Sequence, residues 1–280
     1  MTNVPKIVHS VLDEYIKLFN TYLPETLEGL YLHGSVALGA FVSDSSDIDF
    51  ITVTNRRLTT EDSDVLNRIH TTLQQTFQKP EMDGVYILKE DFGNMDPTSK
   101  GDTEMYAYYN NGELKFGEYF NFNPITWYLV KHKEIRVVGP EISSSFSGPS
   151  REELCEYVLH NMNTYWAGRL HTIEESVDEI KHYPTAMIDA EIEWSVLGVL
   201  RQYYTLKEAS IISKQDAGLY GLQELPEEWH SLIREAMGIR SGLNGIDSDS
   251  NDIRVKQTIK FLKYVISLCN HMYVEHHTQR

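Results

Sequence analysis

The stretch YLHGSVALGAFVSDSSDIDFITV, residues 31–53, decides how the first half of this chain is read. Two apolar runs flank a Gly34-Ser35 pair, and the second run opens with two carboxylates, Asp47 and Asp49, separated only by Ile48. Side chains alternate faces along a strand, so both aspartates should point one way while Ile48 enters the opposite layer. Carboxylates side by side are costly without a cation, and hard oxygen donors at this spacing suit Mg²⁺ together with the phosphate oxygens of a nucleotide. Gly34 permits a close backbone approach, and Ser35 offers a hydroxyl and an amide to a phosphate, helped if a helix starts at Val36. Two strands converging on phosphate and metal are therefore predicted.

Outward from this stretch, Val8, Val11, Leu12, Tyr15 and Phe19 recur at helical spacing, and so do Leu66, Ile69, Leu73 and Phe77 ahead of Pro80. MDGVYILK, starting at Met82, reads as a third strand. A third acid would complete a two-metal site, and it should come from a neighbouring strand. Asp83 is the candidate, sharing its face with Val85 and Ile87, and Glu81 lies on that face one step further out, in the loop. An acid here can bind a second metal or accept the proton of an attacking hydroxyl.

GPEISSSFSGPS, residues 139–150, is the strongest breaker in the chain, and Ser150 followed by Glu153 carries a capping-box signature for a helix starting at about Arg151. Beyond it, Ile192, Val196, Val199 and Leu200, then Ile259, Leu262, Ile266 and Cys269, keep three- and four-residue apolar spacing. The expected fold class is α+β: an N-terminal domain over residues 1–145 with a small mixed sheet and helices, then an α-helical bundle over 150–280.

Composition narrows the partners. The 280 residues suffice for two domains of about 100–200 residues each. No apolar run approaches the roughly 20 residues of a membrane helix, so no membrane partner is expected. A formal net charge of −16 repels nucleic acid and would draw in a cationic small molecule. MTNVPKIVHS lacks signal-peptide character, and Cys155 and Cys269 suggest neither disulfide nor zinc, so a cytoplasmic protein is expected, most simply a monomer. His33 reads as a satisfied structural histidine, and the aromatic run from Tyr106 to Phe122 reads as a packed interface between the domains.

Gly34-Ser35, Ala37, Gly39, Ser46 and Asp47-Ile48-Asp49, bracketed by strands, resemble the nucleotidyltransferase superfamily pattern of G-S, about ten residues, then D-x-D. Residues 196–233, which include SKQDA and LPEE, resemble the helical domain of the aminoglycoside adenylyltransferases, the streptomycin and spectinomycin group. Together the two blocks span most of residues 27–240. The resemblance implies transfer of AMP from Mg·ATP to a drug hydroxyl in a cleft between two domains, with two Mg²⁺ ions. It implies that Ser35 and Ser46 face phosphate beside Gly34, that Asp47, Asp49 and Asp83 bind metal, and that Lys214 and Arg201 reach the ATP phosphates. Where the family has a glutamate as catalytic base this chain has Asp83, which leaves Asp83 or Glu81 for that role. The LKFGEYF block puts Tyr119 where the family has tryptophan, and a gapless count back from Lys214 puts Met187 at the position of a streptomycin-binding aspartate. Spectinomycin is thereby favoured over streptomycin, and Glu191 falls where the family has an acid facing the drug's amines. Two rival readings remain: a nucleotidyltransferase of the same superfamily acting on another small molecule or a protein, and a non-catalytic nucleotide-binding or antitoxin-like module.

Overall fold

Helix α1 (Lys6–Tyr22) buries the stripe its spacing announces, Val8, Val11, Leu12, Tyr15 and Phe19. Strand β1 (Leu27–Leu32), the single turn α2 (Gly34–Ala37), strand β2 (Ile48–Thr54), helix α3 (Ser63–Thr76) and strand β3 (Met82–Ile87) follow. These come from a computed structural model that describes residues 4–95, 105–142, 146–180, 182–243 and 250–278, with side chains described as far as Tyr273. Strands β4 (Tyr106–Asn110) and β5 (Glu113–Gly117) form a hairpin. Its two loop residues, Asn111 and Gly112, have φ of 51° and 77°, the left-handed values that a two-residue turn matched to strand twist requires. Helix α4 (Pro124–His132) is started by Asn123, whose side chain accepts from the amides of Ile125 and Thr126, and strand β6 (Ile135–Val138) completes the sheet.

The strand order is β5-β4-β3-β2-β1-β6. Only the β2/β3 pair is parallel, because α3 carries the chain back across the sheet between them. Strand alternation sorts the core into two layers. Leu30, Leu32, Ile48, Phe50 and Tyr86 pack under α1 and α3, whereas Tyr31, Ile51, Val53, Val85 and Ile87 pack with Trp127 and Val130 of α4. Tyr106, Tyr119 and Phe122 belong to that second layer. The aromatic run is thus core of the N-terminal unit, where flat rings fill the space between sheet and α4.

The helical half opens at Arg151 as expected. Glu153 N–H donates to Ser150 Oγ at 3.2 Å and Ser150 N–H donates to Glu153 Oε2 at 2.7 Å, a closed capping box on α5 (Arg151–Asn161). A π-helical turn at Met162–Trp166 leads into α6 (Ala167–Glu175) and α7 (Val177–Ile180). Then come α8 (Thr185–Glu208), α9 (Lys214–Glu224), α10 (His230–Arg240) and α11 (Asn251–Thr278). Helix α8 is the hub, packing against α5, α9, α10 and α11. It passes so near the π turn that a Cβ at Gly198 would lie 2.1 Å from the Trp166 ring, so only glycine fits there. Arg254 of α11 is buried between Asp189 and Glu235 and bonds both. Stripping one partner from such a buried set costs about 3–5 kcal/mol.

The chain divides into two compact, contiguous units, Met1–Pro149 and Ser150–Arg280. Among the described residues no helix is long and apolar enough to cross a membrane.

Candidate active site

Strand register builds the site in the first unit. Leu32 pairs with Phe50, so the next residue, His33, lies against Asp49, and its amide donates to the Asp49 carbonyl at 3.1 Å. In the parallel β2/β3 pair Asp49 lies opposite Asp83. The Asp83 carboxylate accepts from Asn110 Nδ2 at 3.1 Å and from the Asn111 amide at 3.2 Å. His33, Asp49, Asp83 and Asn110 therefore form one polar row across four strands, on the sheet face that also holds Tyr31, Ile51 and Val85. Asp47 is exposed and sits one residue ahead of β2.

Gly34 closes the row from the side. Its φ is +58°, and a Cβ there would lie 1.8 Å from Asp49 Oδ2. The glycine is required twice over, by its left-handed backbone and by the carboxylate pressed against it. Ser46 is buried and braces the loop before β2: its hydroxyl accepts from Val42 N–H at 3.1 Å while its own amide donates to the Val42 carbonyl at 2.8 Å. Ser35 Oγ and His33 Nε2 are buried and have no hydrogen-bond partner among the described residues. His33 is therefore not the satisfied structural histidine expected from its strand-end position.

Charge is concentrated here. Burial, followed by the charge of Asp47, pushes Asp83 up to about 7; Asp49 and Glu81 add to the push and the Asn111 amide opposes it. Glu81 pairs with Lys79 at 3.0 Å, which holds its carboxylate at the loop while Asp83 takes the place opposite Asp49. The Lys79 ammonium is raised chiefly by its hydrogen bond to Glu81, with Asp47 and Asp83 contributing. Tyr119 is buried with its ring 5.2–5.4 Å from those of Tyr108, Phe120 and Phe122. Burial raises its phenol, and Asp49 and Asp83 are among the charges acting on it, so the aromatic wall adjoins the acidic row. Beside it Phe120 is 54% exposed.

The aspartates and the orphaned Ser35 hydroxyl are all hard oxygen donors, the set that Mg²⁺ and a phosphate share. Among the described residues no three His, Cys, Asp or Glu side chains close on one point as metal ligands. The residues present thus fit a cation that takes one or two protein carboxylates and fills its sphere with phosphate oxygens and water.

In the second unit, Lys214 at the start of α9 reaches Glu193 of α8 at 3.0 and 3.1 Å, and Arg240 of α10 reaches the same carboxylate at 2.9 Å. Burial lowers the Lys214 ammonium, Arg240 and Arg201 lower it further, and Glu193 opposes them. Arg201 Nε donates to the Ile212 carbonyl at 3.2 Å, and Lys214 lies 4.6 Å from the ring centre of the half-exposed Trp194. Lys214 and Arg240 are therefore braced by one carboxylate, Glu193, and Arg201 lies near enough to act on the Lys214 charge. Glu191 is engaged elsewhere, accepting from Arg169 Nε at 2.9 Å and from the Ser195 hydroxyl.

Sequence reasoning missed His33, Asn110, Asn111, Lys79, Glu193 and Arg240. Asn-Asn-Gly at 110–112 is a hairpin signal that points to the β4–β5 turn and so to the two groups holding Asp83. The others carry no local signature, since their roles arise from register and helix packing.

The first unit is thus a mixed sheet carrying a glycine-closed acidic row, and the second is a helical bundle carrying a basic cluster. The fold is similar to that of a spectinomycin adenyltransferase, AAD(9) from Enterococcus faecialis, crystallised with ATP and spectinomycin: TM-score 0.62 at 17% identity, over 92% of this chain and 99% of that one. Residues 161–267 match the family described as aminoglycoside adenylyltransferase, C-terminal domain. No curated protein sequence matches it significantly.

Proposed function

We propose that this enzyme transfers AMP from ATP to a hydroxyl of an aminoglycoside or aminocyclitol, with spectinomycin favoured over streptomycin. The observation that carries the reading is the register-fixed pair Asp49 and Asp83, crowded by Asp47 and closed by Gly34. Asp83, oriented by Asn110 and Asn111, takes the proton of the drug hydroxyl as that oxygen attacks the α-phosphorus. The bond from the α-phosphorus to the bridging oxygen breaks and pyrophosphate leaves. Asp47, Asp49 and Asp83 would hold Mg²⁺, each ion taking one or two of the carboxylates together with nucleotide oxygens, and the metal would neutralise phosphate charge. Lys214 and Arg201 meet the phosphates, and Arg240 joins them through Glu193.

Tyr119 at the family's tryptophan position and Met187 at its aspartate position are what favour spectinomycin. Tyr119 is buried, so it shapes the acceptor wall through packing. Met187 is 55% exposed and offers no charge to a drug's guanidinium. Glu191 acts on the drug's amines only if it exchanges its bond to Arg169. The enzyme works in the cytoplasm as a monomer, which cell fractionation and gel filtration check.

The test is incubation with Mg·ATP and a panel of aminoglycosides, following pyrophosphate and the mass of the drug. Spectinomycin should gain one adenylyl group and streptomycin should not. Pyrophosphate release with no drug in the panel modified overturns the acceptor class, and no nucleotide turnover at all overturns the reading.

A further inference from the structure

Two buried polar atoms without partners lie in one turn, and one of them belongs to a residue that the Gly-Ser pattern does not include. His33 is 4% exposed, yet its Nε2 makes no hydrogen bond among the described residues. A buried donor or acceptor left unsatisfied is costly, and such groups in a folded protein usually await a ligand, ion or water. Two residues along the chain, Ser35 Oγ is in the same state. Both flank Gly34, against whose backbone the Asp49 carboxylate is pressed.

The register says which way His33 faces. Tyr31 is in the layer with Ile51 and Val85, and alternation places His33 on that same face, where its neighbour across the ladder is Asp49. The imidazole therefore stands at one end of the His33–Asp49–Asp83–Asn110 row. At the other end Asn110 is already bonded to Asp83, so that end of the row is complete without ligand. The His33 end is not.

We infer that His33 is a nucleotide-binding residue, its Nε2–H donating to a polyphosphate oxygen of the bound nucleotide beside the Ser35 hydroxyl. The inference rests on the nucleotidyltransferase reading above and adds a ligand group to it. An imidazole suits the place because it donates a hydrogen bond without adding a further anion near Asp49. One lost hydrogen bond to a charged group corresponds to a loss of about tenfold in affinity.

Calorimetry with α,β-methylene-ATP and Mg²⁺ tests it, with AMP as the reference ligand lacking the β and γ phosphates. His33→Ala should bind the analogue about tenfold more weakly, AMP affinity should stay within about twofold, and His33→Gln, which keeps a side-chain N–H, should recover part of the loss. Should His33→Ala fold poorly, imidazole ¹⁵N spectra of the wild type decide instead, because the His33 Nε2 resonance should move on addition of magnesium pyrophosphate. Wild-type affinity for the analogue in His33→Ala, equal losses for analogue and AMP, or an unmoved Nε2 resonance would each overturn the assignment. Wild-type protein that binds no nucleotide overturns the nucleotidyltransferase reading itself, and this inference with it.

Discussion

Asp83 and Glu81 are two residues apart and both acidic, yet the structure treats them differently. Asp83 lies opposite Asp49 under two asparagine donors, whereas Glu81 is paired with Lys79 at the loop. Asp83→Ala should therefore lose about 10²–10⁴-fold in kcat, the scale of general-base catalysis, while nucleotide affinity stays within a few-fold. Glu81→Ala should be mild. Steady-state kinetics and nucleotide titration of both variants check this, and a dead Glu81→Ala beside an active Asp83→Ala would reverse the roles. Asp47→Asn should also abolish transfer, because the variant loses a carboxylate from the proposed metal site, and Mg·ATP turnover beside a melting curve checks that the loss is one of chemistry and not of folding. The D-x-D and Gly-Ser residues were legible in the sequence because their chemistry is written in adjacent positions. His33 and Asn110 were not, because each acquires its meaning only when a strand distant in sequence pairs beside it.

Among the elements, α1, α3 and β1 to β3 could be read directly, since each carries one unbroken apolar period and a breaker at its end. The hairpin β4–β5 was hidden inside an aromatic run whose residues suit strands, interfaces and stacking surfaces equally. The turns that hold the site are the sensitive places. Gly34→Ala would force an L side chain into left-handed backbone and against the Asp49 carboxylate, so transfer should vanish even if the protein still folds. Circular dichroism with an activity assay separates the two effects, and activity within a few-fold of wild type would contradict the packing described. The Ser150 cap offers the opposite case. Ser150→Ala removes the capping box of α5 and should cost about 1 kcal/mol in denaturant unfolding. Because it touches none of the candidate site residues, kcat should be unchanged.

At the scale of the molecule, acid should unfold this protein through its buried imidazoles. His70 is 2% exposed, stacked on Tyr109 at 3.7 Å between ring centres and bonded to the Tyr86 hydroxyl at 2.7 Å. Burial lowers its value to about 3, and burial lowers that of His33 as well. Between about 6.5, the value of an exposed imidazole, and 3, the unfolded chain binds a proton at His70 that the folded one does not. The His70 contribution to stability should therefore fall as pH drops through that window, by up to about 1.4 kcal/mol per pH unit. Asp83, held up to about 7 in the folded chain, works in the opposite sense over the same range, so the check is a comparison: between pH 7 and 5 the denaturant midpoint of wild type should fall relative to that of His70→Gln. The division of the chain into two contiguous units has a genetic meaning too. Each unit holds its own core and the polypeptide crosses from one to the other only once, near residue 150, so that point is a natural seam in the coding sequence. Fragments 1–149 and 150–280 made from separate reading frames should each unfold cooperatively on their own. Either half could then have been exchanged by recombination without dismantling its counterpart.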